Sequence, residues 1–118
     1  MDPITIIIND APYGAERPWN ALRLALTLTS TTIKSKVNVF LLGDAVFLAK
    51  KGQRPPEGYY NLEKMLTDLI RKDGNVRACG TCLRVRGLNQ DDLVEGVKIG
   101  TMMELTKWTT ESRGVLSF

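Results

Sequence analysis

The sequence predicts an α/β fold: a three-layer α/β/α arrangement around a mainly parallel five-stranded sheet. Three observations predict it. Residues 4–8 form an apolar, β-branched run with no polar face, the pattern of a strand covered on both sides. Similar short runs recur at 37–42, 76–78, 97–99 and 115–118, with helical patterns between them. Residues 61–72 carry Leu62, Met65, Leu66, Leu69 and Ile70 at helical spacing, a single apolar stripe.

The first strand ends at residues 9–14, a cluster of turn formers. A helix is expected from about residue 15 to 31, with Pro18 confined to its first turn. Trp19, Leu22, Leu26 and Ile33 fall roughly on one face of it, and Leu24 and Leu28 on another. A helix apolar on two sides is expected to be covered on two sides, so a partner subunit is expected beyond the sheet. The second strand, 37–42, closes at Gly43 and Asp44, and residues 45–50 read as a short helix. Residues 51–60 hold two adjacent prolines, two glycines and two tyrosines, a connector or a mobile lid.

The next helix has Asn61 as its N-cap, Glu63 near its start and Arg71 and Lys72 near its end, all complementing the helix dipole. Residues 73–75 stop it. The third strand, 76–78, runs into Cys79, Gly80, Thr81 and Cys82 and then a short helix flanked by Arg84 and Arg86. After a polar connection and the strand at 97–99, Thr101 with Glu104 makes a capping box. The helix it opens runs through Glu111, with Met102, Leu105 and Trp108 as its apolar face. Gly114 frees the chain for a final strand, ordered only if it docks in the sheet.

The 118 residues are expected to form one domain, residues 1–118. With 43% hydrophobic and 25% charged residues, the chain has enough apolar material for a core without metal or disulfide staples. The net charge of +3 is mild and interspersed with acids, which argues against nucleic acid as a partner. Lys50, Lys51 and Arg54, the densest basic cluster, read as a solvated loop. No run approaches the length of a membrane helix, and no signal peptide is expected at the N-terminus. The protein is therefore expected in the cytoplasm, with its thiols reduced.

Several chemistries lack parts. With no histidine there is no Ser-His-Asp triad. There is no phosphate-cradling glycine loop, and no cofactor is expected. Asp10, Glu16 and Asp44 read first as turn formers or caps. That leaves Cys79 and Cys82, the only two cysteines, as the candidate catalytic residues. In a parallel sheet the loops at 9–14, 43–44 and 79–82 should share the carboxyl edge. Cys79 would then sit at a strand end, where the first N–H groups of the next helix favour a thiolate. Gly80 would supply backbone donors, and Arg84 and Arg86 positive potential. Such a thiol is suited to accept a sulfane sulfur and hand it on.

Other readings stay open on the residues alone. A Cys-x-x-Cys in a βαβ setting can be a redox dithiol, although no Trp precedes the pair and no Gly-Pro lies within it. Zinc would need an intersubunit site, since each chain offers two ligands, and no metal is expected. Both thiols could be buried and inert. A small ligand could also sit in a cleft near Tyr13, Asp44 and Tyr59.

The chain resembles the DsrE/DsrF-like family, including its YchN-like and TusD-like members. The resemblance runs along nearly the whole length. It is carried by residues 9–17 (Asn9, Asp10, Tyr13 and Gly14 among them) leading into 20–26, by 39–46, and by Cys79 followed by Arg86 and Gly87. It implies a parallel-sheet α/β/α fold, homo- or hetero-oligomers such as trimers or hexamers, and sulfur handling with donor and acceptor proteins as partners. In the sulfur-relay members one strand-end cysteine carries a persulfide, and Cys79 is the matching position. Cys82 has no counterpart in the TusD-like pattern, though Cys-x-x-Cys occurs in YchN-like sequences. It would resolve the persulfide to a disulfide or act as a second thiol.

Overall fold

The computed structural model describes residues 2–118. Five strands form one sheet: β1 (Ile4–Ile8), β2 (Val37–Leu41), β3 (Asn75–Cys79), β4 (Lys98–Gly100) and β5 (Gly114–Ser117). Their order is β4-β3-β2-β1-β5 and every pairing is parallel. The helices are α1 (Arg17–Leu28), α2 (Leu62–Arg71), α3 (Gly80–Val85) and α4 (Met102–Glu111). Residues Gly43–Ala49 form a 3-10 helix where a short helix was expected, and Gln90–Asp92 form another.

Strand order decides the layers. The steps β1 to β2, β2 to β3 and β3 to β4 all move one way across the sheet, so right-handed crossovers put α1, α2 and α3 on one face. The return from β4 to β5 carries α4 across the other face. Register and alternation then sort the side chains. Ile6, Ile8, Val39, Leu41, Val76 and Ala78 face α1 and α2, and all are buried. Phe40 faces α4, its ring edge-on to Trp108 at 5.9 Å and 87°. Arg77 lies over the same indole, 5.2 Å from its centre, and pairs with Glu104.

A directional chain of hydrogen bonds fastens α4 to that face. Asn75 donates through Nδ2 to Asn38 Oδ1 at 3.0 Å, and Asn38 Nδ2 donates to Thr5 Oγ1 at 3.5 Å. Thr5 and Ser112 hydroxyls meet at 2.6 Å, and Ser112 Oγ donates to the Trp108 carbonyl at 2.5 Å. Asn38 and Thr5 are buried, so each needs these partners.

The helix ends follow local chemistry. Asn61 caps α2 by accepting the Lys64 N–H at 3.0 Å. Thr101 and Glu104 form the expected box at α4, with bonds of 3.2 and 2.9 Å. At the end of α2, Asp73 takes the left-handed turn at φ 65°, and Gly74 donates to the Leu69 carbonyl at 2.9 Å. Gly74 is required there because a Cβ would come within 2.6 Å of the Leu69 side chain.

Helix α1 stops at Leu28, short of the expected residue 31. The hydroxyls of residues 29–32 compete for the backbone: Thr29 Oγ1 donates to the Leu26 carbonyl, and the Ile33 N–H turns to Ser30 Oγ. Ile33, expected on the buried face, is 53% exposed as a result.

Candidate functional site

The parallel pairings bring the loops after β1, β2 and β3 to one edge of the sheet, as expected for this class. Cys79 is the last residue of β3 and the N-cap of α3; Cys82 is on the first turn of that helix. Both are free thiols. They open on a cavity of about 450 Å³ whose other walls include Leu42, Gly80, Thr81, Arg84, Ile99 and Met102. Gly80 sits where a Cβ would meet Ile99 at 3.0 Å, so β4 lies close against the cysteine turn.

The two sulfurs differ in surroundings. Cys79 is 8% exposed, and its Sγ accepts the Cys82 N–H at 3.4 Å. Burial pushes its thiol up, with the Cys82 side chain adding to the rise; the backbone N–H groups of Cys82 and Thr81 pull the other way and lose. The expected low thiol pKa at Cys79 is therefore corrected. The N–H groups at the start of helix α3 do reach the sulfur, but burial at the strand end outweighs them. Folding favours the neutral Cys79 thiol, and that preference is given up as pH climbs from the ordinary thiol range toward the raised value.

Cys82 is half-buried, and its Sγ accepts the Gly43 N–H at 3.2 Å. Arg86 stitches the two loops together. Its guanidinium donates to Asp44 Oδ1 from Nε at 3.0 Å and from Nη2 at 2.9 Å, and its Nη1 donates to the Cys82 carbonyl at 3.0 Å. Arg84 is exposed and reaches Thr81 Oγ1 at 3.3 Å.

The site thus gathers Cys79, Cys82, Gly80, Arg84, Arg86 and Asp44. Three other residues singled out from the sequence have different partners. Asn9 donates through Nδ2 to Ser117 Oγ and to the Phe118 carbonyl, both at 3.1 Å, holding the end of β5. Asp10 pairs with Arg17 at 3.7 Å. Tyr13, at φ 67°, donates its hydroxyl to Gln53 at 2.5 Å and accepts the Leu62 N–H at 3.1 Å.

Tyr13 also stacks on Tyr60 at 5.7 Å and meets Tyr59 at a tilt at 6.1 Å, and a cavity of about 450 Å³ beside Tyr13 is lined by Pro12, Phe47, Lys50 and Gln53, without Asp44 or Tyr59. Within residues 51–60, the start is held down: Glu63 accepts the Gly52 and Gln53 N–H groups at 3.0 and 2.8 Å. Sequence reasoning placed Gly43 at this edge but missed Ile99 and Met102 as walls of the site. The register that sets Gly100 beside Cys79 is what brings β4 to the site.

Among the described residues, no three His, Cys, Asp or Glu side chains gather as a metal site. No helix of the described residues is long and apolar enough to cross a membrane.

A parallel α/β/α protein with a Cys-x-x-Cys at its carboxyl edge is the class that fold and site define. The chain belongs to the DsrE/DsrF-like family, whose profile matches residues 2–118. It is 42% identical to protein YchN of Escherichia coli over 118 residues, covering the whole of both chains. Superposed on the YchN crystal structure, it gives a TM-score of 0.93 with both chains fully covered. An uncharacterised protein of Methanopyrus kandleri is 45% identical over 118 residues, which cover 100% of this chain and 95% of that one. A protein of unknown function from Methanobacterium thermoautotrophicum shares the fold at a TM-score of 0.76 and 18% identity, covering 99% of this chain and 100% of that one.

Proposed function

We propose that the protein handles sulfane sulfur through Cys79 and Cys82, taking it up as a persulfide and passing it to a partner thiol. The observation that carries this reading is a pair of free thiols on one helical turn at the carboxyl edge of the sheet, opening on a cavity. Family membership supports it at the level of the family. Exchange of this kind needs a thiolate, an accessible sulfur and room for the donor. It would make the protein a sulfur carrier or sulfurtransferase subunit working in the cytoplasm with donor and acceptor proteins.

Self-association into a trimer or hexamer belongs to the same proposal. Strand β5 pairs on one side alone, and its Val115 and Leu116 are 39% and 42% exposed. Met102, Met103 and Val85, on the helices flanking the cysteine cavity, are exposed as well. Large apolar side chains left in water are candidates for subunit contacts.

A second reading has one specific observation in its favour. Cys79 and Cys82 occupy the N-cap and third positions of α3, close enough for the Cys82 N–H to reach the Cys79 sulfur. A reversible disulfide between them would make a dithiol redox or sensing module.

Cyanolysis separates the readings. After incubation with inorganic polysulfide and desalting, cyanide should release thiocyanate from the wild type in proportion to protein. The Cys79→Ser/Cys82→Ser variant should release none. Wild type that yields only a disulfide and no thiocyanate favours the redox module.

A further inference from the structure

The two thiols share a helical turn, yet only one is met by a second loop. Cys79 is 8% exposed and caps its own helix. Cys82 is half-buried, and the N–H aimed at its sulfur, 3.2 Å away, comes from Gly43 beyond the end of β2. Gly43 is at φ 56°, the left-handed region that favours glycine. The adjacent Asp44 is clamped to Arg86, which also holds the Cys82 carbonyl. Helix and loop are thus tied together at Cys82, through its sulfur and its carbonyl.

We infer that Cys82 is the thiol that attacks an incoming electrophile, a sulfur donor included, and that the Gly43 N–H is the donor facing the charge on its sulfur. The sulfur-donor part rests on the sulfur-handling reading above. The proposed role of Cys79 then changes from first acceptor to the buried second thiol. Gly43, Asp44 and Arg86 position; Cys82 reacts.

The step balances without an oxidant or reductant. The Cys82 thiolate attacks the outer sulfur of a persulfide donor, R–S–SH. The donor S–S bond breaks and its electron pair leaves with R–S⁻, which takes a proton from water. The new S–S bond makes Cys82–S–SH. A hydrogen bond to an anionic atom is stronger than one to a neutral atom, and the Gly43 N–H is the donor that meets this sulfur from outside its own helix.

The test uses the folded wild type first. Under limiting iodoacetamide, peptide mass spectrometry should find Cys82 modified at least roughly tenfold faster than Cys79. Equal rates, or Cys79 ahead, overturn the inference. Single variants then take inorganic polysulfide. Cys79→Ser should still gain sulfur, and Cys82→Ser should gain it at least roughly tenfold more slowly than wild type. The opposite order overturns the inference while leaving the protein a sulfur handler. A wild type that gains no sulfur but is alkylated first at Cys82 sinks the sulfur-handling reading and supports Cys82 as the reactive thiol.

Discussion

Replacing Phe40 by alanine should cost about 3–5 kcal/mol of stability in chemical denaturation. Phe40 is fully buried on the second strand of the sheet. Its ring meets Trp108 edge-on and fills the space above Gly100, where a Cβ would come within 2.8 Å of it. Helix α4 is the one described helix on that face, so the loss falls on the contact that holds it. The hydrogen-bond chain from Asn75 to Trp108 would remain, but its bonds are worth roughly 1 kcal/mol each. A domain of this size is stable by roughly 5–15 kcal/mol, so the loss is a large share. The near-ultraviolet dichroism of Trp108 should weaken with it. A loss under about 1 kcal/mol would mean that α4 is held by other means.

Leu83→Ala should cost about 2–5 kcal/mol and should also open the site. Leu83 is 1% exposed and anchors a helix of six residues. Its carbonyl also accepts the Arg86 and Leu88 N–H groups, both at 3.0 Å; alanine would keep these bonds, so the loss is that of the buried side chain. An isolated helix this short has no stability of its own. With the anchor gone, α3 should open locally before the rest of the fold. Cys79 would then lose its shelter, and its alkylation should speed up at least roughly tenfold in the still-folded protein. Lower stability with unchanged Cys79 labelling would show that the cysteine turn does not depend on this side chain.

What was legible in the sequence was local. The stripe from Leu62 to Ile70 and the caps at Asn61 and Thr101 are short-range patterns, and each matches the element observed. The continuous apolar run at β1 implied two covered faces, which the layers supply. The strand ends then placed the loops at 43–44 and 79–82 together, because all pairings are parallel.

What was missed depends on contacts distant in sequence. The end of α1 turns on hydroxyls that prefer the backbone to solvent. Asn38, buried in an otherwise apolar strand, finds its partners only when Thr5 and Asn75 come alongside it in register. The burial of Cys79 is set in a fold where β4, the strand beside it, lies next to β3. The link from Gly43 to Cys82 joins residues whose separation no spacing rule covers. For that reason the pair of thiols was readable and the difference between them was not.

Intact-mass spectrometry after exposure to a small-molecule persulfide donor tests the sulfur chemistry most directly. Wild-type protein should gain the mass of one sulfur atom, lose it to a reductant, and show no gain once both cysteines are serine. An unchanged wild-type mass, or an equal gain in the double-serine protein, would contradict the account.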